Sequence, residues 1–128
     1  MPDRSGLLRN LRVGDIFHAR SPNGASMVCL VTEVSDDTIS SRRITTQDDH
    51  TFDLRAGIEL GTVPSRIDCV EPLPADIHKT YMDLDQKYQK FKEMLRNGIE
   101  PPLEQCKLTA AEKDALLYIS DHLVEHAI

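Results

Sequence analysis

The chain has 128 residues, 40% of them hydrophobic and 28% charged, with a net charge of −6. That length suits one domain, or one small domain with an appendage, and it can bury a core without disulfides. No apolar run approaches the ~18 residues of a membrane span, and Met1-Pro-Asp-Arg-Ser-Gly has no apolar signal core, so the expected location is the cytoplasm.

Charge is spread evenly: residues 1–72 hold 8 Arg against 11 Asp/Glu, and residues 73–128 hold 7 Lys/Arg against 10 Asp/Glu. Each part is therefore −3. Nucleic-acid binders usually carry a basic balance or patch, and this balance argues against nucleic acid. Cys29, Cys69 and Cys106 form an odd set without a CxxC pair, which fits reduced thiols packed as small core residues rather than a zinc site. No cofactor fingerprint appears.

Residues 1–11 form a short lead-in in which Leu7, Leu8 and Leu11 can pack as one turn. Val13-Gly14-Asp15 is a turn before a strand over 16–19, and Ser21-Pro22-Asn23-Gly24 is a tight-turn string. Met27 to Val34 reads as a strand buried on both faces. Ser35-Asp36-Asp37 turns into a third, more polar strand over 38–46, anchored by Ile39 and Ile44. Gln47-Asp48-Asp49-His50 reads as a solvated turn, followed by short strands over 51–54, 58–60 and 65–70. Several short strands with turns about every 10 residues predict a small closed or nearly closed β-barrel over 1–72. The string from Val13-Gly14-Asp15 through Asn23-Gly24, the valine-rich strand, Asp36-Asp37 and Thr38-Ile39 resembles the opening of SH3-like barrels of the Tudor and KOW type. Ile44-Thr45-Thr46-Gln47 with Phe52-Asp53 resembles strings in small bacterial proteins and implies no activity. A Tudor-like methyl-ammonium cage needs two to four aromatic rings, and this half offers only Phe17 and Phe52.

Glu71-Pro72-Leu73-Pro74 ends the strands. Residues 73–128 predict a helical region: a helix over about 75–97 with Gly98 as left-handed cap, a connector over 98–108 stiffened by Pro101-Pro102, and a helix over about 109–127. Thr109-Ala110-Ala111-Glu112 is a capping box. Leu116, Ile119, Leu123 and Ala127 make the stripe of the last helix, widened by Leu117 and Val124. The first helix carries Ile77, Tyr81, Leu84, Tyr88, Phe91 and Leu95, with steps of 4, 3, 4, 3, 4. This a/d seam suits packing within the chain or pairing with a second copy in a homodimer. The expected fold class is α+β: a small SH3-like antiparallel barrel followed by two α-helices.

Three constellations are candidates for chemistry. Arg42-Arg43 sits mid-strand, so the two guanidinium groups point to opposite faces; pairing with Asp48, Asp49, Asp53 or Asp68 is the plain expectation. His50 lies among Asp48, Asp49, Asp53 and Arg55 without a partnered nucleophile. His122 and His126 are spaced i, i+4, but two donors at a chain end make a poor metal site, so no metal is expected. The leading reading is a non-enzymatic binding or regulatory module for a protein partner, with Arg42, Arg43, His50 and Arg55 as candidate contacts. Nucleic-acid binding through Arg42, Arg43, Arg55 and Arg66 is the alternative, and an enzyme stands third.

Overall fold

The computed structural model describes residues 4–61 and 64–126, with side chains over 6–61 and 64–119. Helix α1 (Arg4–Arg9) precedes strands β1 (Ile16–Arg20), β2 (Ser26–Val34), β3 (Thr38–Arg43), β4 (Asp49–Asp53) and β5 (Arg66–Cys69). Helices α2 (Ala75–Arg96), α3 (Leu103–Cys106) and α4 (Ala110–His126) follow. The strands form one sheet in the order β4-β3-β2-β1-β5, antiparallel at each pairing. The result is α+β, a curled five-stranded sheet with helices.

The curl is visible in the aromatic pairing. Phe17 on β1 and Phe52 on β4 are separated by two strands in the sheet, yet their rings meet edge to face at 5.4 Å. Only a strongly coiled sheet brings such positions together. The two edges are also linked through residues 57–60: Asp53 N–H donates to Ile58 O, Leu60 N–H to Thr51 O, Glu59 N–H to Ser65 O, and Ile67 N–H to Gly57 O.

The concave face holds Phe17, Ala19, Met27, Cys29, Val31, Ile39, Phe52 and Ile67, packed with Leu8 and Leu11. The convex face presents Ile16, Val28 and Leu30, which pack with Ile44 against Tyr81 and Leu84 of α2 and Ala115 of α4. This explains why residues 27–31 are buried on both faces. It also accounts for the cover over the helical seam within one chain. Tyr81, Leu84 and Phe91 are buried, Ile77 and Tyr88 are half-buried, and Leu95 is 60% exposed because α2 runs past the packed cluster.

Several boundaries differ from expectation. The third strand stops at Arg43, and residues 44–47 form a turn in which Gln47 takes φ +61°. His50 lies inside β4, which begins at Asp49. Residues 58–60 contribute only isolated bridges. The connector contains the single turn α3. Leu117 does not widen the α4 stripe, being 58% exposed; Leu123, Val124 and Ala127 lie outside the described side chains.

Helix ends follow their sequence signals. Gly98 takes φ +75°, Ile99 N–H reaches Met94 O and Gly98 N–H reaches Leu95 O, the 6→1 and 5→2 bonds of a Schellman cap. Thr109 N–H donates to Glu112 Oε1 at 2.8 Å, and Glu112 N–H donates to Thr109 Oγ1 at 3.1 Å, which closes the capping box.

Candidate functional site

Arg42 and Arg43 do face opposite sides of the sheet. Arg42 pairs in register with Leu30 and Arg43 with Cys29, so the first points to the helices and the second to the concave side. Arg42 makes no hydrogen bond to the four acids expected of it; Asp49 stands opposite it in register on β4 and contributes charge attraction alone. The Arg42 Nε and Nη2 donate to the two carboxylate oxygens of Asp85 on α2, at 3.0 and 2.8 Å. Asp85 is 2% exposed. It also accepts from Gln47 Nε2 at 2.8 Å and Gln89 Nε2 at 2.9 Å. Gln47 Nε2 donates to Ile44 O as well, and Lys92 Nζ donates to Gln47 O. The left-handed Gln47 is thus held by the helix it faces. Burial pushes the Asp85 carboxyl up, but the hydrogen bonds from Arg42 and Gln47, the Arg42 charge and the Gln89 bond hold it below the ordinary carboxylate value.

Asp68, Asp53 and Asp48 have local partners. Asp68 accepts from buried His18, its Oδ1 lying 2.5 Å from Nδ1, and from Arg20 Nε at 2.8 Å. Asp53 caps its own turn through the N–H groups of Arg55, Ala56 and Ile58. Asp48 lies 2.6 Å from His50 Nε2.

His50 is therefore no solvated turn residue. Its side chain is 15% exposed and held between two carboxylates, Asp48 on Nε2 and Glu59 Oε2 on Nδ1 at 2.5 Å. In register it faces Ser41, whose Oγ donates to His50 O at 2.8 Å. Cys29 and Arg43 lie on the same side. Burial drives the Cys29 thiol up to about 12 against the opposing pull of Ser41 and Arg43, so it is no nucleophile at neutral pH. Arg43 Nη2 donates to Ser26 O at 3.3 Å, and its Nε is buried without a hydrogen-bond partner. Arg43, His50, Asp48 and Glu59 thus come together at one mouth of the curled sheet. Arg42, Arg55 and Arg66 do not join them. Arg55 is exposed on a cleft with Arg9 and Asp37, and Arg66 is exposed on β5 opposite Arg20.

An apolar cleft lies elsewhere. A cleft of about 400 Å³ opens where α1 meets the exit of β5, lined by Leu7, Leu11, Val70 and Pro72 with Asp15 and Glu71. Leu11 is its buried floor, and Leu7 and Val70 are half-buried walls. No sequence motif marks it, because α1 and the β5 exit lie far apart in the chain. The run of Leu7, Leu8 and Leu11 is the available signal: Leu8 is consumed in the core, while Leu7 is not.

Asp85, Gln47 and Glu59 are not marked by the sequence motifs either. Asp85 follows Tyr81 by four, so it has to share the buried side of the helix; that spacing is its one signal. Among the described residues there is no group of three or more His, Cys, Asp or Glu able to hold a metal. His122 and His126 lie outside the described side chains. Also among the described residues, no helix is long and apolar enough to cross a membrane. Compared with family models, curated proteins and solved structures, the chain matches none.

Proposed function

We propose that this chain is a non-enzymatic module that recognises a protein partner, built on an SH3-like barrel. The observation that carries the reading is the cleft between α1 and the β5 exit. Apolar walls around a buried leucine floor, with a few polar groups on the margin, are the usual make-up of a recognition surface. The barrel reading draws on the strand order, with β5 returning beside β1, and on the residue 57–60 segment that links the two sheet edges.

The nucleic-acid alternative draws less support. Phosphate binding needs several cations presented together. Arg42 is turned inward to Asp85 and Arg20 is paired with Asp68, which leaves fewer cations to act together. The test is amide chemical-shift mapping with peptides selected from a random library. Shifts centred on Leu7, Leu11 and Val70 support the proposal. Shifts around Arg43, Arg55 and Arg66 on adding duplex DNA at physiological salt would replace it with the alternative.

A further inference from the structure

We infer that the α1 cleft takes a basic-apolar peptide segment, one that sets a lysine or arginine beside an apolar side chain; this rests on the protein-partner reading above. Two acidic residues, Asp15 and Glu71, are among those lining the same concavity as the apolar walls. Asp15 is fixed there, because its Oδ2 accepts the Arg12 N–H at 2.8 Å. The nearby Arg12 cation is turned away to the carbonyls of Arg9 and Leu11, at 3.0 and 3.1 Å, and it is not among the lining residues. A lysine or arginine stem can lie along Leu7, Leu11 and Val70 while its charged head reaches the acidic margin. An acidic peptide would place like charges together in a partly desolvated groove. The net charge of −6 adds long-range attraction for a cationic segment. The volume, about 400 Å³, lies near the low end of the roughly 300–1,000 Å³ of ligand clefts. It therefore suits a few side chains of an extended segment rather than a whole helix.

The experiment selects short random peptides displayed on phage against the full chain. Recovered peptides are then titrated by fluorescence anisotropy against wild type, Asn10→Trp and the double variant Asp15→Asn/Glu71→Gln. Asn10 is exposed on the cleft margin, so a tryptophan there fills the cleft without entering the core. The expected result has three parts. Recovered peptides carry Lys or Arg next to an apolar residue, Asn10→Trp abolishes binding, and the double variant binds about tenfold more weakly with a flatter salt dependence. Suppose instead that Asn10→Trp abolishes binding while the peptides lack basic residues and the double variant binds as wild type. That overturns the basic-segment inference and leaves the protein-partner reading standing. Failure to select any peptide, or binding unaffected by Asn10→Trp, overturns both. Should the tryptophan variant not fold, shift mapping on the wild-type chain replaces it: shifts away from Leu7, Leu11 and Val70 overturn both readings.

Discussion

Replacing Asp85 with Ala should be among the most damaging single changes available in α2, because it strands a cation rather than removing packing. Asp85 receives both Nε and Nη2 of Arg42 and the Nε2 groups of Gln47 and Gln89. Removing one member of a buried pair costs about 3–5 kcal/mol. The Arg42 side chain is 26% exposed, so its cation can recover some hydration, which places the expected loss near the lower limit, about 3 kcal/mol. Arg42→Met/Asp85→Leu should behave differently. Apolar replacement of both partners of a buried pair is often neutral or stabilising, and the flanking Tyr81, Leu84 and Leu30 provide an apolar setting. The double variant should therefore recover the part of the loss due to the stranded cation, though not the bonds that Gln47 and Gln89 make to Asp85. Equilibrium urea unfolding measures all three species. A single variant within about 1 kcal/mol of wild type, or a double variant as unstable as the single one, would refute the reasoning.

The pH dependence carries the same signature. The folded Asp85 carboxyl lies below its ordinary value, so the pair's contribution is complete above the unfolded value of about 4 and disappears as pH falls through the folded value. The gap in stability between wild type and Asp85→Asn should stay constant from neutral pH down to about 5 and shrink below about 4. A gap that grew on acidification would contradict the sign.

Three further outcomes are expected. Tyr81→Phe removes the buried bond from Tyr81 Oη to Ala115 O at 2.9 Å and should cost about 1 kcal/mol in urea unfolding; Tyr81→Ala should cost about 3 kcal/mol or more, exceeding Tyr88→Ala, because Tyr88 is only half-buried. Timed labelling with a thiol reagent should modify exposed Cys106 first, half-buried Cys69 later and Cys29 only on unfolding. Anisotropy titration with random duplex DNA at physiological salt should show no binding; a low-micromolar Kd lost on replacing Arg43 and Arg66 would reverse the ranking of the two proposed functions.

How legible each part is depends on the range over which its physics acts. The Schellman cap at Gly98 and the Thr109–Glu112 box are local, made by groups within five residues, and both stand in the sequence. Alternation along β3 puts Arg42 and Arg43 on opposite faces for the same reason. The third strand ends before Ile44 because its end is set from a distance: Gln47 takes a left-handed conformation while its side chain binds Asp85, 38 positions away. His50 reads as a solvated turn residue because Glu59, which holds its other ring nitrogen, arrives through the residue 57–60 segment. The seam is legible as a helix face, but its periodicity is identical for an internal partner and for a second copy.

The internal use of that seam bears on where a partner can bind. Tyr81 and Leu84 are spent on Val28 and Leu30 of the sheet and Ile44 of the turn after β3, and Arg42 is spent on Asp85 beside them. A homodimer through Tyr81 and Leu84 would have to pull α2 off the sheet and strand both charges, at the cost of that shared cluster. What remains of the seam is Leu95, beyond the packed cluster at the distal end of α2. The cleft at α1 is different, because it borders the concave core and needs no rearrangement of α2. Leu11 is already buried there with Leu8 and the strands around it, so an incoming side chain meets a surface held in place by the core. Preorganisation of this kind lowers the entropy lost on binding, and under the proposed protein-partner reading it favours the cleft over the seam as the contact surface.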